Sequence, residues 1–325
     1  MDLSTTYLGM RLPHPLIVGA GPLGDELDRV RVLEDAGASL IVLRSLYEEE
    51  ITGEQMDAFF NYDSYSESFA EAESFAPEPE LALGPDEYLE HLRKIKGAVR
   101  IPVMASLNGV TPGGWLSFSR LIEQAGADGL ELHMFHAASD MATSSADVER
   151  QFIEIVSEVK RTVRIPVAVK MAPLFTAFAH FAKQIDAAGA DGVVLFTRFS
   201  RADIDVNELE VVRSTPLSNS SDLLMRLRGA AAVSGRIKAS IAITGGVHTG
   251  LDVIKATMAG AHATQMVSAL LRNGPNHLRR VRDEIESWMV EHEWTSLSEM
   301  RGNMSLGKIA DPAAYERANF RMALR

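Results

Sequence analysis

The chain has 325 residues, 46% hydrophobic and 23% charged, with no cysteine and a formal net charge of −12 at pH 7. That composition describes a globular protein with room for one large α/β barrel or two smaller domains. It excludes disulfides, thiolate metal sites, cysteine-ligated iron–sulfur clusters and a cysteine nucleophile, and no run approaches the ~18 apolar residues of a membrane span.

The opening MDLSTTYLGM lacks the basic, apolar and small-residue order of a secretory leader, so a cytoplasmic location is expected. The first apolar run, Pro15–Ala20, leads into LIVGAGPLGDELDRV, where Gly19, Gly21 and Gly24 spell G-x-G-x-x-G. Two readings compete there. In a dinucleotide-binding turn the amides at the helix start face a pyrophosphate, but Pro22 has no N–H to offer. Alternatively this is the first strand-to-helix turn of a barrel, where small Ala20 and Gly21 let bare backbone approach a flat ligand. Arg44, closing the second run Leu40–Arg44, would suit a 2′-phosphate under the first reading.

Between Ser45 and Glu90 stand 14 Asp/Glu and no Lys/Arg, which leaves 30 acids against 32 bases elsewhere. The acidity thus belongs to one segment, and it repels nucleic acid and anionic membrane surfaces. Its composition suits a solvated loop; Phe59, Phe60, Tyr62, Tyr65, Phe69 and Phe75 instead suit a segment folded over something.

The third and fifth runs, Pro102–Ser106 and Pro166–Met171, both follow an R-I-P-V opening, at Arg100–Val103 and Arg164–Val167. Proline is tolerated where a strand begins. The fourth run is Gly129–Met134, the sixth Gly192–Phe196, the seventh Ser240–Thr244 and the eighth Ala263–Val267. A-G-A precedes four of the runs, with Gly37, Gly126, Gly189 and Gly260 placed where a helix ends in a left-handed C-cap. Eight near-continuous apolar strands alternating with helices predict an α/β fold of the (β/α)8 TIM barrel type, one domain over 1–325, over a doubly wound sheet. Residues 45–90 and 199–232 are then insertions after strands 2 and 6 on the C-terminal face, where barrel enzymes carry their sites.

Three stretches point to chemistry. IAITGGVHTG places Gly245 and Gly246 before a helix, and with the turn at Val267 and Ser268 they predict a phosphate cradle after strands 7 and 8; two ordinary turns are the plain alternative. In IPVAVKMAP, period-two alternation puts Lys170 and Ala168 on one face. An inward lysine needs an anion, unless it reaches out to the barrel rim; beside a reduced flavin it would stabilise negative charge. In LELHMFHAASD, Glu131 and His133 share a face and His136 follows on the loop. Structural histidines, a proton-transferring His136 and a metal pair all fit that spacing; no convincing third ligand accompanies them, so no metal is expected.

These motifs resemble the dihydroorotate dehydrogenase family, FMN-containing (β/α)8 barrels, and most closely its soluble class 1 branch. The resemblance runs through HPLIVGAG, YLEHL, IPVMASLNG, GADGLELHM, IPVAVKMAP, ITGGVHTGLDVIKATMAGAHATQMVSALLRNGP and SLSEMRGNMS. It implies FMN contacts at Ala20 and Gly21, Arg44 and Ser45, Ser106, His133, Lys170, Thr197, Thr244 with Gly245 and Gly246, and Val267 with Ser268. Lys170 matches the family lysine that touches the flavin ring and is assigned, with His136, to catalysis.

The departures fall on the substrate side. Where the family has ELNxSCPN or a serine version, this chain has ELHMFHAA, so His133 replaces the first Asn, His136 the Cys or Ser base and Ala138 the second Asn. Arg44 stands at a family lysine, Thr197 at a substrate Asn, and the GLPN motif is missing. The resemblance implies hydride transfer between a dihydroorotate-like substrate and FMN, as in pyrimidine biosynthesis. It also implies a homodimer; the absence of a cysteine cluster and of an N-terminal membrane helix points to a soluble electron acceptor or redox partner protein, and the acidic segment to no nucleic-acid or membrane partner. Reduction of another cyclic or unsaturated anion, and a non-catalytic flavoprotein subunit docking a redox partner, are the competing readings.

Overall fold

A computed structural model describes residues 1–52, 84–109, 115–135, 140–198, 201–214 and 216–323. Its strands are β1 (Thr5–Tyr7), β2 (Met10–Leu12), β3 (Leu16–Val18), β4 (Ile41–Tyr47), β5 (Val103–Asn108), β6 (Gly129–Met134), β7 (Val167–Met171), β8 (Gly192–Leu195), β9 (Arg201–Asp205), β10 (Glu210–Ser214), β11 (Ser240–Thr244) and β12 (Ala263–Met266). The helices are α1 (Leu27–Asp35), α2 (Glu48–Thr52), α3 (Pro85–Ala98), α4 (Trp115–Gln124), α5 (Ser145–Thr162), α6 (Phe178–Ala187), α7 (Leu223–Val233), α8 (Gly250–Ala259), α9 (Ser268–Asn273), α10 (His277–Glu291), α11 (Leu297–Met300) and α12 (Pro312–Ala323).

Eight parallel strands close a barrel in the order β11-β12-β3-β4-β5-β6-β7-β8, so the eight apolar runs are the eight barrel strands. The dinucleotide reading ends here. Gly19 and Gly21 serve barrel closure instead: a Cβ on Gly19 would meet Gln265 Cβ at 3.0 Å, and one on Gly21 would meet Val267 Cγ1 at 3.0 Å. Small residues at this seam let the last strand approach the first.

Alternation along each strand sorts side chains into two cores. Leu130, Leu132 and Met134 face outward into the layer between barrel and helices. Ile17, Val42, Met104, Ala168, Val194, Ala242 and Ala263 fill the interior together with Tyr7, Leu8 and Leu12 of the β1–β2 hairpin. Leu8 N–H donates to Ser240 Oγ at 3.2 Å, which seats that hairpin on the N-terminal end of the barrel. The opposite, C-terminal end is left for ligands.

The A-G-A repeat does more than end helices. Gly37, Gly126, Gly189 and Gly260 all have positive φ, and the residue just past each repeat ties down the preceding strand. Ser39 Oγ donates to Leu16 O at 2.6 Å. Asp128 accepts from Val103 N–H at 2.7 Å and from Lys96 at 2.5 Å; Asp191 accepts from Val167 N–H at 2.7 Å and from Lys160 at 2.5 Å. His262 Nδ1 accepts from Ile241 N–H at 3.0 Å. One repeated device therefore sets the start of four strands, and with it the height at which their far ends meet.

The stretch 199–232 holds two different things. Its first part is the antiparallel β9–β10 hairpin; its last part belongs to α7, the barrel's own connection from β8 to β11. Residues 53–83 of the acidic segment lie outside the described residues.

Candidate active site

The C-terminal ends of the strands surround a cavity of about 550 Å³, inside the range of roughly 300–1,000 Å³ common for small-molecule sites. Ala20, Gly21, Arg44, Ser45, His133, Lys170, Thr197, Thr244, Gly245, Gly246, Val267 and Ser268 all line it. Ser106 does not; it lies fully buried, with its Oγ 2.7 Å from that of Ser45, and supports the wall from behind. His136 lies outside the described residues.

The floor is polar. Lys170 reaches inward from β7 and its Nζ lies 3.1 Å from Glu131 Oε1 on β6. Gln265 Nε2 donates to Glu131 Oε2 at 2.6 Å. The anion that an inward lysine requires thus comes first from the chain itself, so Lys170 is not a rim lysine. Glu131 and Gln265 were open to sequence reading as isolated polar residues in apolar runs, but not their pairing.

On one wall a short relay runs across strand ends. Asn108 Nδ2 donates to His133 Nδ1 at 3.2 Å, which makes Nδ1 the acceptor and leaves Nε2–H to donate to Thr197 Oγ1 at 2.7 Å. Burial, and then the Lys170 ammonium, push the His133 pKa down to about 3. His133 is therefore neutral near pH 7 and acts as a fixed hydrogen-bonding group rather than a cation. On the facing wall Arg44 is held by both oxygens of Asp25, with Nε to Oδ1 at 3.1 Å.

The upper end is built from turns. Gly245 and Gly246 both have φ of +80°. A Cβ on Gly246 would overlap the Leu223 backbone nitrogen, and one on Gly245 would meet the Arg226 guanidinium at 2.9 Å. Arg226, which sequence reading missed, donates to the carbonyls of Thr244 and Phe196 and so ties the ends of β11 and β8 beneath this turn. Ser218 joins the two glycine-side turns: its N–H donates to Ser268 Oγ at 3.1 Å and its Oγ accepts from Gly246 N–H at 3.3 Å. Among the described residues no side chain caps the first turn of α9 at Val267 and Ser268. Left-handed glycines beside an uncapped helix start are suited to an anionic oxygen cluster. With the cavity below and the Lys170 ammonium at its floor, the donor set fits a phosphorylated ring cofactor.

Burial also sets a pH dependence. His14 and His262 are pushed down to about 4, in each case by burial first and then by a nearby guanidinium, of Arg282 and Arg301 respectively. With His133, these groups stay neutral when folded and bind protons near pH 6.5 when unfolded. Unfolding at pH 5 therefore takes up about three protons from them, and stability falls as pH drops from 6.5 toward 4. Urea midpoints measured between pH 7 and 4.5 should decline steadily; a flat profile contradicts this assignment.

Among the described residues no group of three His, Asp or Glu is placed to hold a metal ion, and no helix is long and apolar enough to cross a membrane. Comparison with known proteins fits the geometry. A family model described as dihydroorotate dehydrogenase matches residues 2–289. The catalytic subunit of dihydroorotate dehydrogenase B (NAD(+)) from Thermoplasma volcanium is 26% identical over 309 residues, 93% of this chain and 98% of the relative. Its counterpart from Thermoplasma acidophilum is 25% identical over 309 residues, with the same two coverages of 93% and 98%. The NAD-dependent dihydropyrimidine dehydrogenase subunit PreA of Escherichia coli K12 is 23% identical over 322 residues, 93% of this chain and 76% of the relative.

Proposed function

Because the chain belongs to the dihydroorotate dehydrogenase family and is an oxidoreductase acting on CH–CH groups, we propose that it works with FMN on a dihydroorotate-like anion. The single observation that carries this reading is that residues from seven of the eight strand ends converge on one cavity with a cation at its floor and a glycine cradle at its top. When bound, FMN supplies a two-electron hydride acceptor.

The chain's own residues do the rest. Gly245, Val267 and Ser268 offer main-chain donors to the phosphate, with the Gly246 turn held in place by Ser218, and Gly21 lies close against Val267. Lys170 stabilises the negative charge that builds on the ring. His133 and Thr197 present a fixed hydrogen-bonding edge, and Arg198 stands at the mouth beside Arg44, which Asp25 holds. His136 takes up the proton released from substrate carbon, a task suited to an imidazole side chain. The electron acceptor is a soluble molecule or a partner subunit, in keeping with relatives that are named as subunits. A homodimer in the cytoplasm completes the proposal.

A second reading, action on a different cyclic or unsaturated anion, is favoured by one observation: His133 and Thr197 form the edge at which the family resemblance would place asparagines. A site built on amide hydrogen bonds discriminates strongly against ligands that cannot make them. Difference spectra of the FMN-loaded protein with orotate decide between the two. A shifted flavin band supports the dihydroorotate-like substrate; yellow protein that shows no shift at millimolar orotate moves the assignment to the second reading.

A further inference from the structure

We infer that Glu131 is a positioning residue: it holds the Lys170 ammonium at the cavity floor, offsets its charge, and so sets the reduction potential of FMN bound above it. This rests on the FMN reading of the preceding section.

The grounds are geometric. Glu131 is completely buried on the inward face of β6. Its two oxygens go to different partners, Oε1 to Lys170 from adjacent β7 and Oε2 to Gln265. β12, which carries Gln265, lies four strands from β6 in a ring of eight, so the Glu131–Gln265 hydrogen bond spans the barrel interior. The carboxylate is thus clamped from both sides. The interior residues Ala168, Ala242, Ala263 and Met104 offer no charge, and the buried Tyr7 hydroxyl has no hydrogen-bond partner among the described residues. Lys170 and Gln265 line the cavity, while Glu131 does not. Glu131 therefore acts on a bound ligand through Lys170 rather than by touching it.

A lone ammonium beside the ring would favour the reduced, negatively charged form; a paired one favours it less. Glu131→Gln leaves Lys170 in place with no counter-charge. The two-electron midpoint potential of bound FMN, measured by dye-equilibrated reduction, is expected to rise by at least tenfold in the reduction equilibrium, about 30 mV. Glu131→Asp keeps the charge but withdraws it by one methylene from Lys170, so it should not restore the wild-type potential; it also provides the measurement if the Gln variant does not fold. A variant that binds FMN with the wild-type potential overturns the inference and leaves the FMN reading intact. Wild-type protein that takes up no FMN overturns both. A lost hydrogen bond that only loosened the fold would lower stability and leave the potential where it was.

Discussion

Lys170→Met is expected to destabilise the cofactor-free protein by about 3–5 kcal/mol, the usual cost of removing one partner from a buried ion pair. The penalty does not come from the lysine. It comes from Glu131, which stays completely buried with, among the described residues, the Gln265 amide left to satisfy it. Chemical denaturation measures the loss directly. The double variant Glu131→Gln/Lys170→Met, with no charge left in the floor, should recover most of it, because replacing both members of such a pair is commonly close to neutral. A single variant within about 1 kcal/mol of wild type would mean that water reaches the floor, and that the pair is not what fills it.

The second large effect concerns proton transfer. His136→Ala should slow anaerobic flavin reduction by dihydroorotate by ~10²–10⁴, the typical worth of a general base. Binding of FMN should be unchanged, since the phosphate cradle is built from other residues, around Gly245 and Gly246. Stopped-flow absorbance at the flavin band gives the rate, and unchanged kinetics would reassign His136 to structure. His133 cannot stand in for it. Its pKa of about 3 leaves it a weak base, pinned between Asn108 and Thr197.

Local repeats make much of this architecture legible in the sequence itself. The A-G-A turns, the two R-I-P-V openings and the alternation around Lys170 are short-range patterns, each tied to a backbone requirement that only a few residue types meet. They place the strands, and the strands place the cavity. What the patterns leave out is partnership between distant residues. Glu131 and Lys170 are 39 positions apart, and Gln265 is 134 from Glu131. Nothing in the spacing says that they meet. Arg226 was hidden for a related reason: it sits on an apolar helix whose sequence reads as packing, yet it donates to carbonyls at two strand ends. The second insertion, read as 199–232, takes in most of α7 because the serine-rich stretch just before Leu223 reads as a continuing loop.

The G-x-G-x-x-G at Gly19, Gly21 and Gly24 carries a wider lesson. The same three glycines satisfy a pyrophosphate turn in one fold and a tight barrel seam in another. Here the seam wins: a Cβ at either of the first two positions would press against Gln265 or Val267 at 3.0 Å. Pro22, with no N–H, was the local sign of it.

The most direct test compares FMN with riboflavin. The two share the ring and differ in the phosphate, so the glycine cradle is isolated from every other contact. Fluorescence titration of the cofactor-free protein should show FMN bound at one per chain and riboflavin weaker by roughly a hundredfold, about 2.7 kcal/mol. Equal affinities, or no uptake of either flavin, would contradict the assignment of the cavity to a phosphorylated flavin.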